Sequence, residues 1–267
     1  MNSIVPKKDH TKIIQQYLSG IPAQQIGKLY GVSHTPITLI LKNNHIKIRK
    51  HGFSCDENFF SDLSLKACYW AGFIAADGYV LTDFPRMGIA IHKKDEKHLK
   101  KFKKAIKFTG DVKQYISKGF NTLTPYCRII INSQKVKDDL LKYFNITEKK
   151  SLTLKPPKLL SFNRKLAFIA GYIDGDGSIY TQHGKLPTIE ILGTYEMLDW
   201  INKTLKKYNF NNKISKAKKT SSISRIKFQG TGKIIALCKN IRKLKLPLLE
   251  RKWSRIDVNL KSKRSRW

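Results

Sequence analysis

Trp70-Ala71-Gly72-Phe73-Ile74-Ala75-Ala76-Asp77-Gly78 returns as Ile169-Ala170-Gly171-Tyr172-Ile173-Asp174-Gly175-Asp176-Gly177, with Asp77 and Asp176 separated by 99 positions (176 − 77). The shared Ala-Gly-aromatic-Ile interior and the shared Asp-Gly ending mark two copies of one structural unit. In each copy, small residues stand four apart: Gly72 with Ala76, and Gly171 with Gly175. On a helix that spacing puts them on one face, where two backbones can approach closely. The stretches therefore predict twin helices packed on each other at the interface between the copies. Gly78 and Gly177 are predicted to end those helices through the conformational freedom of glycine.

Asp77 and Asp176 then fall at helix C-termini, where the macrodipole disfavours negative charge by about 0.3–1 kcal/mol each. Parallel pairing of the helices would also bring the two carboxylates together as like charges. Stability alone recommends neither arrangement. A divalent cation reverses the sign of both terms, and hard oxygen ligands suit Mg²⁺. A single Asp-Gly reads as a turn; two that end matched helical stretches read as metal ligands. An EF-hand is excluded, because Asp174-Gly175-Asp176-Gly177 lacks the glycine and late glutamate of a calcium loop.

Outward from the motifs, both copies follow one order. After the first, residues 87–91 alternate as a strand, 96–106 have helical period, 112–116 and 126–131 read as strands, and 136–144 as a closing helix. After the second, 188–192, 197–208, 213–218, 224–229 and 234–244 repeat that order. The expected architecture is α+β, with two pseudo-symmetric αββαββα repeats at 66–154 and 166–260. The linker 155–165 contains Lys155-Pro156-Pro157-Lys158, which continues neither a helix nor a central strand. A basic tail occupies 261–267.

Residues 1–54 form a separate, all-α expectation, joined to the repeats through a connector at 55–65. Gln25, Ile26, Leu29, Val32, Ile37 and Leu41 follow helical period around a tight turn. Gly31 can take the left-handed conformation that ends one helix, Ser33 can cap the next, and Pro36 is tolerated in a first turn. This is a helix-turn-helix layout, whose second helix would enter a major groove through Ser33, His34, Thr35 and Thr38.

Charge names the partner class. Fifty-two Lys and Arg against 19 Asp and Glu give a net +33, a self-repulsion that a polyanion relieves. Basic residues run from Lys7 to Arg266 and are not gathered on one amphipathic helix, which favours nucleic acid over a membrane surface. In 224–229, Ile226 and Phe228 share one face, while Arg225, Lys227 and Gln229 share the other. Lys216 and Lys218 are expected to project with that basic face from the neighbouring strand, and Lys113 joins the DNA-binding set from the first repeat. Cys55, Cys68, Cys127 and Cys238 have no metal or disulfide spacing and read as reduced hydrophobes. With no bilayer-length apolar run and no secretory segment in residues 1–15, the expectation is an intracellular protein acting at DNA.

Both nonapeptides resemble the LAGLIDADG motif of homing endonucleases, and the two copies are similar to the single-chain, pseudo-symmetric members. The resemblance covers about 66–260. It implies a monomer whose motif helices pair at the centre of a saddle of strands straddling double-stranded DNA. It also implies that the acid before the last glycine, Asp77 or Asp176, binds the metals that hydrolyse one phosphodiester per strand, with Ala76 and Gly175 included in the metal set. The sixth motif position is Asp174 in one copy and Ala75 in the other, a departure away from the metal-binding position. The resemblance further assigns a lysine near the attacking water and scissile phosphate to the start of each repeat's last helix, at Lys135 and Lys233. A polar residue after the second strand falls at His92 in the first repeat, against Gly193 in the second. The implied activity is site-specific, Mg²⁺-dependent double-strand cleavage of a long asymmetric target, with Mn²⁺ as a substitute. The rival readings are an RNA maturase assisting intron splicing and a non-cleaving transcription regulator. Retention of both aspartates and of both lysines, Lys135 and Lys233, argues against a dead site.

Overall fold

Two separate apolar clusters organise the chain into compact units at 1–52 and 53–267. The computed structural model describes residues 5–48, 53–118, 122–148, 150–159, 161–181, 187–210, 212–218 and 222–256; the basic tail expected at 261–267 lies outside them.

In the N-terminal unit, Ile13, Tyr17, Ile26, Ile37 and Leu41 are buried together. They come from three helices: α1 (His10–Leu18), α2 (Ala23–Leu29) and α3 (His34–Asn43). The turn between α2 and α3 forms as its residues require. Gly31 has φ +66°, and the Ser33 hydroxyl accepts the Thr35 amide at the start of α3. The first helix, α1, supplies Ile13 and Tyr17 to the cluster and completes its core.

The larger unit begins with α4 (Leu65–Asp77), β1 (Gly78–Val80), β2 (Arg86–His92), α5 (Glu96–Ala105), β3 (Lys113–Lys118), β4 (Leu123–Asn132) and α6 (Gln134–Phe144). A short α7 (Lys150–Thr153) precedes α8 (Phe162–Asp176), β5 (Gly177–Tyr180), β6 (Thr188–Gly193), α9 (Tyr195–Leu205), β7 (Ser215–Lys216), β8 (Ser224–Gln229) and α10 (Thr231–Lys243). Residues 250–256 form a further helical segment. The order αββαββα is thus met twice. The sheets are antiparallel and four-stranded, ordered β1-β2-β4-β3 and β5-β6-β8-β7. Alternation turns Met87, Ile89, Ile91, Cys127, Ile129 and Ile131 of the first sheet inward. Ile189, Ile191, Ile226 and Phe228 do the same in the second.

The motif helices α4 and α8 are apolar on nearly every side and form the centre of this core. Residues 67–75 and 166–174 are buried without a break. Their contact requires glycine: a Cβ on Gly72 would collide with the Phe168 carbonyl, and one on Gly171 with the Tyr69 carbonyl. The twin positions carry twin contacts, as the i, i+4 pattern predicted.

Two expectations are corrected. Gly78 and Gly177 do not end the helices in a left-handed turn; both are extended, with φ −82° and −87°. Glycine is needed there because a Cβ would press on the helix just left, 2.8 Å from the Ile74 carbonyl oxygen and 2.5 Å from that of Ile173. Lys216 also does not share a face with Arg225. It pairs with the buried Ser224, whereas Ser215 pairs with Arg225, so Lys216 extends from the core-side face at the sheet edge. Lys218 is exposed and lies beyond the two-residue β7.

Candidate active site

Asp77 and Asp176 are the last residues of α4 and α8. Close packing of those helices brings the two C-termini together: a Cβ on Gly175 would collide with the Cβ of Ala76. Both carboxylates reach solvent, yet the protein around them removes enough water to raise their affinity for protons. Asp176 is pushed up to about 6, first by desolvation and then by the negative charge of Asp77, with Lys150 and Lys252 opposing. Asp77 is raised chiefly by desolvation, against the pull of Lys252 and Lys150.

Those two lysines are the feature that the sequence reading missed. Each is only 8% exposed, and each ammonium group is spent on the C-terminal carbonyls of a motif helix. Lys150 Nζ donates to the carbonyls of Ala75 and Ala76 at 2.8 and 2.6 Å. Lys252 Nζ donates to those of Ile173, Asp174, Gly175 and Gly177 at 3.1, 2.6, 2.9 and 2.7 Å. A helix end leaves such carbonyls without intrahelical partners, and a cation there also offsets the negative end of the macrodipole. Burial pulls both ammonium groups below the usual lysine range. Asp176 and then Asp77 oppose this at Lys150, and Asp174 and Asp77 oppose it at Lys252. A sequence signal exists: Glu148-Lys149-Lys150 and Glu250-Arg251-Lys252 repeat an acid-base-lysine triplet after the last helix of each repeat.

Lys135 and Lys233 are occupied differently. Lys135 forms an i, i+4 ion pair with Asp139 at 3.0 Å, and Lys233 donates to the Asn209 carbonyl. Lys150 and Lys252 are the lysines whose charge bears on both Asp77 and Asp176; Arg251 and Asp95 act on Asp77 as well.

Beside Asp77 opens a cavity of about 290 Å³, lined in part by His92, Lys94, Asp95, Arg251 and Lys252. Arg251 forms a two-pronged pair with Asp95, both contacts 2.6 Å. Burial works against the Asp95 charge, but the Arg251 hydrogen bonds outweigh it and hold that carboxyl below its ordinary range. His92 Nδ1 accepts the Lys94 amide at 3.1 Å, which assigns the ring proton to Nε2. The counterpart of His92 is not Gly193. Gly78 pairs with Ile89 and Gly177 with Ile191, so equal steps along the strands reach His92 and Thr194. The Thr194 hydroxyl is already engaged, donating to the Leu154 carbonyl at 2.7 Å and accepting the Met197 amide.

Asp174, at the motif position where the first copy departs to Ala75, is a structural tie. At 1% exposure it accepts from Tyr69 Oη at 2.6 Å, Trp253 Nε1 at 2.7 Å and the Leu249 amide at 2.9 Å. Desolvation pushes it up to about 6, against those three donors. Tyr69 in turn meets His98 Nε2 at 3.0 Å. His98 is driven down to about 3 by burial, so it is neutral and donates from Nε2.

Among the described residues no three His, Cys, Asp or Glu side chains gather as a metal cage. The donor chemistry still suits a hard divalent ion: two partly desolvated carboxylates of like charge, to be completed by water and phosphate oxygens, as Mg²⁺ sites commonly are. The carbonyls of Ala76 and Gly175, expected in the metal set, already accept from Lys150 and Lys252. A second cation on the same oxygen would meet the ammonium charge, so the carboxylates are the donors that fit.

Of the sheet-face candidates, Lys113, Lys227 and Gln229 are exposed and Arg225 is half-buried. In the N-terminal unit Ser33, His34 and Thr35 are exposed, and the half-buried Thr38 donates to the His34 carbonyl.

No family model and no curated protein matches the chain. Solved structures do. The I-LtrWI LAGLIDADG homing endonuclease bound to target DNA aligns at 11% identity over 78% of this chain and 92% of that one, with a TM-score of 0.48. I-DmoI in complex with DNA and Ca aligns at 17% identity over 74% and 97%, with a TM-score of 0.47. I-SmaMI bound to uncleaved DNA in the presence of calcium ions aligns at 13% identity over 74% and 92%, with a TM-score of 0.46. The structures it resembles are LAGLIDADG homing endonucleases. Among the described residues no helix is long and apolar enough to cross a membrane.

Proposed function

We propose that this chain is a site-specific DNA endonuclease of the homing type, which breaks both strands of a long asymmetric duplex with Mg²⁺, or Mn²⁺ in its place. The observation that carries the reading is the pair Asp77 and Asp176. Even with Lys150 and Lys252 at the helix ends, desolvation and, at Asp176, the charge of Asp77 disfavour the two carboxylates, and a divalent cation between them would reverse that. A divalent ion held there would supply Lewis-acid activation of water and stabilise the leaving oxygen.

The remaining roles belong to the chain's own groups. Lys150 and Lys252 fix the ends of α4 and α8, and thereby the separation of the two carboxylates. Lys94, in the cavity beside Asp77, offers a cation to a backbone phosphate, and His92 Nε2 a hydrogen bond to the attacking water. The outer sheet faces, with Lys113, Arg225, Lys227 and Gln229, would follow the duplex grooves and backbone. The turn between α2 and α3 would present Ser33, His34, Thr35 and Thr38 to a flanking groove and lengthen the footprint. Because both acids belong to one chain, a monomer suffices, acting where cellular DNA is.

The test is selection of cleaved ends from a genomic DNA library in Mg²⁺, with Ca²⁺ and EDTA as parallel conditions. The expected result is cutting at a defined sequence in Mg²⁺ only, and duplex binding without cutting in Ca²⁺. Duplex binding with no cutting in any divalent metal would favour a regulator. Preferential binding of structured intron RNA would favour a maturase.

A further inference from the structure

We propose that Arg128, on the outer face of the first sheet, reads a guanine in one half of the duplex, while Glu190 restrains its counterpart Arg225 from doing the same in the other half. The inference rests on the duplex binding proposed above and assigns specificity within it.

The equivalence follows from strand register. Ile89 pairs with Gly78 and Ile129, and Ile191 with Gly177 and Ile226. One step back along β4 and β8 are Arg128 and Arg225; one step back along β2 and β6 are Gly88 and Glu190. The same two places on the same outer face therefore hold Arg with Gly in one sheet, and Arg with Glu in the other.

Their surroundings differ accordingly. The Arg128 guanidinium lies 4.5 Å over the Tyr115 ring, which stacks on Tyr126 at 5.3 Å. Its Nε is buried with no hydrogen-bond partner, and among the described residues no carboxylate pairs with it. Asp111, on the wall of the same concavity of about 200 Å³, pairs instead with Lys103 at 3.4 Å. In the second sheet Glu190 accepts from the Tyr180 hydroxyl at 2.8 Å and forms ion pairs with Arg225 at 3.4 Å and Lys227 at 3.6 Å. That face was expected to be of one sign, and Glu190 makes it mixed.

A guanidinium held 4.5 Å over an aromatic ring has given up rotamer freedom before any ligand arrives, so less is lost on binding. Its planar fork of donors matches the O6 and N7 acceptors that guanine shows in the major groove, which admits a β-ribbon. Arg225, by contrast, must release a carboxylate before it can donate to a base.

Binding selection in Ca²⁺ from a library of randomised duplexes tests this with the full chain. Wild type should enrich one G·C pair that Arg128→Lys loses by about 10- to 100-fold, while the salt dependence of binding persists because the charge is kept. Tyr115→Leu should weaken the same preference without moving the others. Glu190→Gln should add a guanine preference at the pseudo-symmetric position, and Arg225→Lys in that same variant should remove it again. An unchanged guanine with Arg128→Lys, or no added guanine preference with Glu190→Gln, overturns the inference. Sequence enrichment in Ca²⁺ without cutting in Mg²⁺ would defeat the nuclease reading alone and leave this one judged on its guanine. No enrichment by a folded wild type would defeat both.

Discussion

The surroundings of Asp77 and Asp176 share a backbone and differ in almost everything attached to it. Each acid ends a motif helix, each helix end is capped by a buried lysine, and each glycine contact between α4 and α8 has its twin. Around that frame the halves diverge. Asp77 faces a cavity with His92 and the Asp95–Arg251 pair, whereas the counterpart of His92 is Thr194, whose hydroxyl is committed to Leu154. Asp174 binds Tyr69, while the matching places carry Ala75 and Phe168, a pair with neither carboxylate nor hydroxyl. The difference teaches which features the paired acids require. Helix contact, helix end and cap are kept twice; packing ties and neighbouring polar groups are free to differ.

The largest difference expected between the halves is in the caps. Lys252→Ala removes the donor from four carbonyls, of which that of Ile173 keeps the Gly177 amide, and Lys150→Ala removes it from two. Leaving buried carbonyls without their charged donor costs about 1–3 kcal/mol. Urea denaturation should therefore show a loss of about 3 kcal/mol for Lys252→Ala and a smaller loss, about 2 kcal/mol, for Lys150→Ala. Equal losses would mean that the extra hydrogen bonds add nothing.

Next is the tie at Asp174. Asp174→Ala removes the acceptor of Tyr69 Oη, Trp253 Nε1 and the Leu249 amide and should cost about 1–3 kcal/mol. Tyr69→Phe, which installs the residue found at the matching place of the other half, should cost about 1 kcal/mol. Little should be added when the two changes are combined, because both break one contact. Full additivity in denaturation experiments would sever the proposed link.

His92→Ala should slow cleavage of one strand about tenfold, equivalent to about 1.4 kcal/mol, so that nicked duplex accumulates on a strand-resolved gel. Thr194→Ala should produce no such bias. Equal slowing of both strands would show that His92 does not belong to one site.

The smallest effect is in pH. Asp176 titrates near 6 in the folded chain against an ordinary value of 3.8, so the folded state binds more protons than the unfolded state between those values. The contribution of this group to stability therefore falls as pH rises from about 4 to about 6, then levels off. Mg²⁺ should raise the melting temperature more at pH 7.5 than at pH 5, where protons compete for the carboxylate. A larger increment at the lower pH would contradict the assignment.

Much of this was legible in the sequence because repetition exposed it. The duplicated nonapeptide fixed the helix pair, and alternation found β8 at its observed bounds. What escaped depended on partners far along the chain. Lys135 and Lys233 match as repeat positions; the caps Lys150 and Lys252 are marked only by a repeated acid-base-lysine triplet, which among 52 basic residues does not by itself indicate burial. Lys216 was assigned to the wrong face because β7 has only two residues; periodicity within a strand that short cannot fix its register on the next. Glu190 went unread because its partners belong to other strands, Tyr180 to β5 and Arg225 and Lys227 to β8.

The central claim is that two carboxylates at paired helix ends hold the metal that cuts DNA. Double-strand cleavage of a selected duplex in Mg²⁺, measured for wild type, Asp77→Asn and Asp176→Asn alongside binding in Ca²⁺, tests it most directly. The account predicts a loss of cleavage of at least about a thousandfold in each variant, about 4 kcal/mol, with duplex affinity retained. Cutting at the wild-type rate by either variant would contradict it.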